Sequence, residues 1–484
     1  MKVVKKKSID KATNAVLVKA NRQHIELAWD RSEAMQPQCG FGRMSICCTD
    51  CADGPCRTSP FDADPGRSVC GRSQQELVAS RFLGQAIDGA VALAGLAAEF
   101  EAEIDNSVFK TLCISRDAML APSDLSARLS EIGGAAASAL KAISSVKEMT
   151  YGKSKPSETT ANLGSLKADS VNIVLHGHIA PKIIKKLTEA AAKSGTPVNI
   201  TAMCGSETNG GLNMPVLTNY CSQEAPLVTG SVDLLVAGSQ CVMPALLTLA
   251  RAANVVVIKA SDLSSESEIN NAVKTASDAY QIRKGKSVDI PACAEKVCYG
   301  YTAAGNKPLF TALNAAYGKG SLKGTAYIGG CGSVSETQDA QFVQLVEKLL
   351  ADKYFIVTGG CAGAALAKTG MCSADYAAGT ALKGVLPAGV PPVLYIGACN
   401  DAGEFLAIAR AVKESGMPVY AFMPETVHNK ILATSIAFVS AGITTFIDSG
   451  EATSDTDLGM KGKLRSVSDF GKVSGVFGEA AAVK

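Results

Sequence analysis

The chain has 484 residues, 47 of them Lys or Arg and 45 Asp or Glu. The resulting net charge of +2 gives no electrostatic case for nucleic acid or an anionic membrane surface. At this length about three domains of ordinary size are expected. With 47% hydrophobic residues but only 5% aromatic ones, the cores should be built from Ala, Val, Leu and Ile.

Residues 1–30 read as polar helix ending in the apolar turn HIELAW. The Lys-rich start has no apolar stretch behind it, so no secretory signal is expected. No run of about twenty uncharged apolar residues follows anywhere, so no transmembrane helix is expected and a cytoplasmic location is.

Six cysteines come next: Cys39, Cys47, Cys48, Cys51, Cys56 and Cys70. In a reducing compartment, clustered cysteines point to metal rather than disulfides. The last four read C-x2-C-x4-C-x13-C, a loop able to wrap four thiolates around one iron–sulfur cube. Cys39 and Cys47 are left without a local quartet and need partners from elsewhere. Cys113, Cys221 and Cys372 read as buried thiols that act as small hydrophobes.

From Ser73 to about Lys147 the apolar spacing is helical. The polar stretch MTYGKSKPSETTANLGSLKADS reads as a linker and a domain boundary. Beyond it, short β-rich runs alternate with helical segments: VNIVLHGH, PVNITAMCG, VDLLVAGSQC and VVVIKAS, then GTAYIGGCG, YFIVTGGCA, PVLYIGACN and VYAFMP. That alternation predicts parallel sheets with crossover helices. The expected fold is therefore α plus α/β, in three domains. Residues 1–165 form a helical domain with the cysteine loop, and 166–292 and 293–484 form two Rossmann-like parallel α/β domains.

In open parallel sheets, ligands bind beyond the carboxyl ends of the strands. Cys204, Cys241, Cys331, Cys361 and Cys399 all fall there, as do His176 and His178 after VNIVL. Three of these cysteines sit in GGCG, GGCA and GACN, where small neighbours let the backbone approach a bulky inorganic cluster. A soft thiolate set with an imidazole suits iron–sulfur chemistry, with or without nickel. No G-x-G-x-x-G follows the first strand, which argues against a dinucleotide.

These residues resemble the nickel–iron carbon monoxide dehydrogenases. The resemblance rests on QCGFG…ICC…C…GPCR…PF…VCG, VNIVLHGH, TGSVDLLVAGSQCVMP, VTGGCAGAAL, PPVLYIGACND and HNKILATSIAFVSAGITTFI. It implies a [4Fe–4S] cluster on Cys48, Cys51, Cys56 and Cys70. It also implies a cluster on Cys39 and Cys47 shared with a second copy, hence a homodimer. The catalytic Ni–Fe–S cluster would be held by His178, Cys204, Cys241, Cys331, Cys361 and Cys399. The resemblance selects His178, whereas the residues alone do not separate it from His176. Lys430 would stabilise charge developing on CO2 oxygen, with His428 beside it. A ferredoxin-like carrier and a small gaseous or inorganic substrate are implied.

Three departures stand out. The chain is shorter than the family's usual members, with the gap between the helix after Cys70 and Val171. That helix reads FLGQAIDGAVALAGLAAEF, without the acid/base histidines the family carries; the four histidines are His24, His176, His178 and His428. After Cys204 the chain reads GSETNG, which makes Glu207 either an oxygen ligand to iron or a loop carboxylate. Besides CO/CO2 redox chemistry, two other readings follow. One is a hybrid-cluster-like reductase of hydroxylamine or related nitrogen species, on a nickel-free Fe–S–O cluster. The other is a non-enzymatic electron-transfer or redox-sensing protein.

Overall fold

The computed structural model describes residues 6–117, 125–153, 156–207, 212, 214–448 and 464–466. Helices α1 (Lys11–Arg22), α2 (Ala28–Ala34) and α3 (Gly40–Arg43) lead to a hairpin of β1 (Cys47–Cys48) and β2 (Cys56–Arg57). Three further helices follow: α4 (Gln74–Glu99), α5 (Asn106–Asp117) and α6 (Leu125–Tyr151). Helix α4 begins in a reciprocal cap between Ser73 and Glu76.

Next comes β3 (Ser157–Ala161), and then the first alternating series. It consists of β4 (Val171–His176), α7 (Pro181–Lys193), β5 (Val198–Met203), α8 (Ala225–Val228), β6 (Leu234–Ala237), α9 (Pro244–Ala252), β7 (Val256–Lys259) and α10 (Glu266–Arg283). The second series opens with β8 (Glu295–Tyr299), α11 (Lys307–Gly318), β9 (Gly324–Ile328), α12 (Ala340–Ala351), β10 (Tyr354–Thr358) and α13 (Gly360–Ala367). It closes with β11 (Val393–Tyr395), α14 (Ala402–Lys413), β12 (Val419–Met423), α15 (Asn429–Ser440), β13 (Thr444–Ile447) and β14 (Leu464–Ser466).

The first series builds a four-stranded parallel sheet in the order β5-β4-β6-β7. The second builds an eight-stranded sheet in the order β14-β13-β12-β9-β10-β11-β8-β3, parallel except where β3 meets β8. The architecture is thus helical plus two Rossmann-like units, as the alternation of runs and helices implies. The winding switches between β4 and β6 in the smaller sheet, and between β9 and β12 in the larger one, where β12 returns to the far side of β9. Crevices at such switch points are where ligands bind in doubly wound sheets.

Two local expectations differ from the structure. Ser157–Ala161, read as linker, is an antiparallel edge strand of the larger sheet. An edge strand keeps one side exposed, so its polar composition hides it. Cys113, read as a buried thiol, is exposed. On α5, Val108 and Leu112 are the inward residues, and the next position turns about a quarter of the way round the helix.

Helices α4, α6 and α15 pack against one another, with Ala86, Ala90, Ala94, Ala136 and Ala139 buried between them. Helix α4 is long and apolar enough to cross a membrane by length and composition. Its inward face, from Leu77 to Ala97, is buried within the protein instead. Small side chains let these helices approach closely, and this layer brings the N-terminus of α15 to the carboxyl ends of both sheets.

Candidate functional site

The candidate residues follow the strands of both sheets. His178 comes just after β4, Cys204 after β5 and Cys241 after β6, while Cys331, Cys361 and Cys399 follow β9, β10 and β11. The two sets converge. Cys361 Sγ lies 3.3 Å from Cys204 Sγ, and Cys399 Sγ and Cys241 Sγ lie 3.7 and 3.8 Å from His178 Nε2. Lys430, in the first turn of α15 and 6% exposed, brings its Nζ to 2.6 Å from His178 Nε2 and 3.3 Å from Cys241 Sγ. The Cys331 N–H donates to the Glu425 carbonyl at 3.0 Å, across the β9/β12 switch point.

The backbone is bent to allow this. Cys204 and Cys241 have φ of +27° and +60°, a region that non-glycine residues rarely occupy. A Cβ on Gly205 would come within 2.9 Å of the His178 ring, and one on Gly360 within 2.7 Å of Cys399 Cβ. Small residues are required there because the imidazole and the thiol occupy the space. Reciprocal backbone hydrogen bonds between His178 and Ser239 hold the imidazole-bearing turn.

The two histidines have different surroundings. His176 Nε2 lies 2.8 Å from Gln223 Oε1, which also accepts the Met243 N–H. That oxygen can only accept, so His176 carries its proton on Nε2 and donates. Gln223 in turn donates to the carbonyls of Tyr220 and Cys241. His176 therefore braces the Cys241 loop, while His178 faces the thiols.

Charge explains what the site can hold. The other thiols and burial push Cys204 well above its ordinary value, and burial pushes Cys399 up to about 12 and Cys331 well above its ordinary value too. Cys241 is held well below, by the Cys204 thiol and by Lys430. Burial and the Lys430 charge lower His178 to about 4, so its imidazole is neutral. Burial acts to lower Lys430, but Cys241 and Cys399 outweigh it, so Lys430 is cationic. Five crowded thiols, three of them buried and Cys241 and Cys399 half-buried, can ionise together only around multivalent cations. Soft sulfur donors with one neutral imidazole fit a cluster of iron, sulfide and nickel. His178 Nδ1 has no hydrogen-bond partner, so no tautomer is imposed from that side.

Glu207 is 1% exposed. Its Oε2 accepts the Gly205 N–H at 2.7 Å, its Oε1 has no partner, and burial pushes it up to about 7. It is not a solvated loop carboxylate; residues 208–211 of that segment lie outside the described residues. His428 is the N-cap residue of α15 and packs edge-on against Tyr220, ring centres 4.6 Å apart, with its Nε2 unpartnered. It lines a cavity of about 280 Å³ with Glu425, which burial pushes up to about 8. Among the described residues, α4 offers no histidine to the site.

The six leading cysteines lie on the segment that precedes α4. Cys39 caps α3, Cys48 pairs with Cys56 across the β1–β2 hairpin, Cys51 lies in the connecting turn and Cys70 shortly precedes α4. They are exposed or half-buried. The Val69 N–H donates to Cys56 Sγ at 3.4 Å, and Ser68 Oγ lies 3.2 Å from Cys70 Sγ. Phe61 and Val69 beside them are 87% and 72% exposed. Gln223, Glu425 and Lys147, all near the strand-end cysteines, have no motif around them and escape a reading of the sequence.

Residues 96–450 match the family model described as the Prismane/CO dehydrogenase family. Carbon monoxide dehydrogenase 2 of Carboxydothermus hydrogenoformans is 27% identical, over 91% of this chain and 90% of that protein. The carbon monoxide dehydrogenase of Rhodospirillum rubrum is 26% identical over the same shares. Both alignments, of 575 and 579 positions, exceed the 484 residues here, so these relatives carry segments that this chain lacks. Among solved structures, carbon monoxide dehydrogenase IV from C. hydrogenoformans superposes with a TM-score of 0.83 at 24% identity, covering 97% of this chain and 98% of that one.

Proposed function

Because this chain belongs to the Prismane/CO dehydrogenase family, we propose that it interconverts CO and CO2. The reaction is CO + H2O to CO2, two electrons and two protons. The observation that carries the reading is the meeting of five thiols, His178 and the buried Lys430 ammonium at the carboxyl ends of both sheets. His178, Cys204, Cys241, Cys331, Cys361 and Cys399 would hold the Ni–Fe–S cluster, which supplies the soft redox site for CO.

The chain's own residues set the conditions around it. Burial removes water that would compete for charge, and Lys430 offers a fixed cation to the carboxylate oxygen as negative charge develops. His428 stands close to that cation and beside the Glu425 cavity, so it is the histidine we assign to proton transfer. Electrons would leave through a [4Fe–4S] cluster on Cys48, Cys51, Cys56 and Cys70. Cys39 and Cys47 would share a further cluster with a second subunit, and the exposed Phe61 and Val69 offer apolar surface to that homodimer. A ferredoxin-like carrier would take the electrons onward.

Glu207 favours a second reading. A buried carboxyl group with a free oxygen, close enough for its charge to be felt at Cys399, suits an iron–oxygen ligand. The same scaffold would then reduce hydroxylamine or a related species without nickel. Anaerobically purified protein is expected to hold nickel in stoichiometric amount and to reduce a viologen under CO. Nickel-free protein that turns over hydroxylamine from reduced viologen would overturn the first reading in favour of the second. Reversible cluster reduction with turnover of neither would leave electron transfer or redox sensing.

A further inference from the structure

Lys147 lies near the C-terminal end of α6 and is 5% exposed. Its Nζ donates to Asn400 Oδ1 at 2.9 Å and to Asp401 Oδ1 at 2.7 Å. Those two residues directly follow Cys399. Asp401 Oδ2 accepts the Ala398 N–H at 2.7 Å, so one carboxylate is held from the residue before Cys399 and from the helical layer. The ammonium group thereby ties the turn carrying Cys399 to α6, next to the close packing of Gly403 against Leu140 and Ser144 of that helix. The field of that ammonium also reaches His178 and Glu207, at the latter opposed by the Asp401 carboxylate.

A buried Lys–Asp pair does little for net stability, because losing hydration offsets the attraction. Apolar side chains of similar volume would join α6 to the turn as well. The charge calls for another explanation, and its place beside a centre crowded with thiols supplies one. We propose that Lys147 is a positioning residue of the catalytic centre: it anchors the Cys399 turn to the helical layer and balances the Asp401 carboxylate beside that turn. The inference rests on reading the strand-end thiols as a metal centre, and not on which substrate that centre takes. Lys430 approaches from α15 and Lys147 from α6, so two helices of one layer each deliver a cation to the sheet ends.

The test compares Lys147→Met and Lys147→Arg in metal-loaded protein, titrated electrochemically while the cluster signals are followed by electron paramagnetic resonance. The N-terminal clusters serve as internal standards. A buried positive charge favours the reduced, more negative state of a nearby cluster. The Met variant should therefore keep its metal, and its catalytic-cluster signal should titrate at a more negative potential. The N-terminal signals should not move, and Arg should bring the potential back toward that of the unmodified protein. Under CO, kcat should fall about tenfold with KM little changed, the pattern of a lost transition-state interaction.

A fully loaded Met variant with an unshifted potential overturns the proposal. Should Met alone leave Asp401 stranded and block loading, Lys147→Met combined with Asp401→Leu strands no charge. Because that double variant removes both charges of the pair, the shape of its catalytic-cluster signal is read in place of the potential, and a loaded protein with the unmodified signal also overturns the proposal. A double variant that folds and keeps its N-terminal clusters but loses catalytic metal supports the anchoring. The potential is read without substrate, so absence of CO turnover in the unmodified protein would sink the CO reading and leave this test standing.

Discussion

Replacing Gly89 with Ala tests whether the helical layer sets the position of Lys430. Gly89 is the point where α4 touches the start of α15. A Cβ built there would lie 2.0 Å from the Asn429 carbonyl oxygen, 2.5 Å from its carbon and 2.9 Å from Ala433 Cβ. Ordinary contact begins near 3.4 Å, so the two helices must part by about 1.4 Å. Asn429 is the residue before Lys430, whose Nζ would then draw away from His178 and Cys241. Overpacking of this kind costs about 1–3 kcal/mol, of which the better helix propensity of Ala returns roughly 0.5–1 kcal/mol. A misplacement of about 1 Å at a reacting group can lower turnover by about 100-fold.

Gly95→Ala is the matched control. It lies on the same helix, is exposed, and a Cβ there meets nothing within 4 Å. That variant should gain about 0.5–1 kcal/mol and keep full activity. Both proteins would be unfolded in denaturant at equal metal loading, since bound metal shifts the apparent stability. CO-dependent viologen reduction would be measured alongside. If Gly89→Ala unfolds and turns over like Gly95→Ala, the helices do not approach as described, and the link from α4 to Lys430 fails.

Glu207→Gln should change how stability depends on pH. Burial pushes the folded carboxyl from about 4.5 up to about 7, so its neutral form is fully accommodated below about 4.5 and that stability is lost as pH rises through 7. The shift is worth about 3 kcal/mol at alkaline pH, and the Gln variant of the metal-free protein should be free of that decline; equal slopes for the two proteins between pH 5 and 8.5 would refute it. Lys430→Met should keep its metal yet lose roughly 100-fold or more in kcat/KM, as when a preorganised charge is removed from a developing oxyanion, and unchanged turnover would rule out that role. Cys47→Ser should remove the iron shared between subunits and leave the Cys48, Cys51, Cys56 and Cys70 quartet loaded, so an unchanged iron count contradicts the assignment.

What could be read in advance depended on how far along the chain the deciding contact lies. The parallel units were legible because each strand, its glycine-rich end and the following helix are neighbours in sequence, and GGCG, GGCA and GACN carry their own turn chemistry. The choice between His176 and His178 was not. It is made by Gln223, 47 residues away from His176, whose oxygen already accepts the Met243 N–H and so claims the first imidazole. Glu207 reads as a polar loop residue until the aromatic core brought in with β8 and β11 lies near it; its charge is felt at Tyr299 and Tyr395, and burial sets its protonation. Lys147 looks like any helix lysine, because Asp401 is 254 residues further on. In each case local pattern placed the backbone and a distant residue decided the chemistry. The departures from the family's usual residues matter for that reason. In the reading proposed above, an α4 without histidines leaves proton handling to His428 and to carboxyl groups such as Glu207 and Glu425, whose protonation burial sets rather than motif.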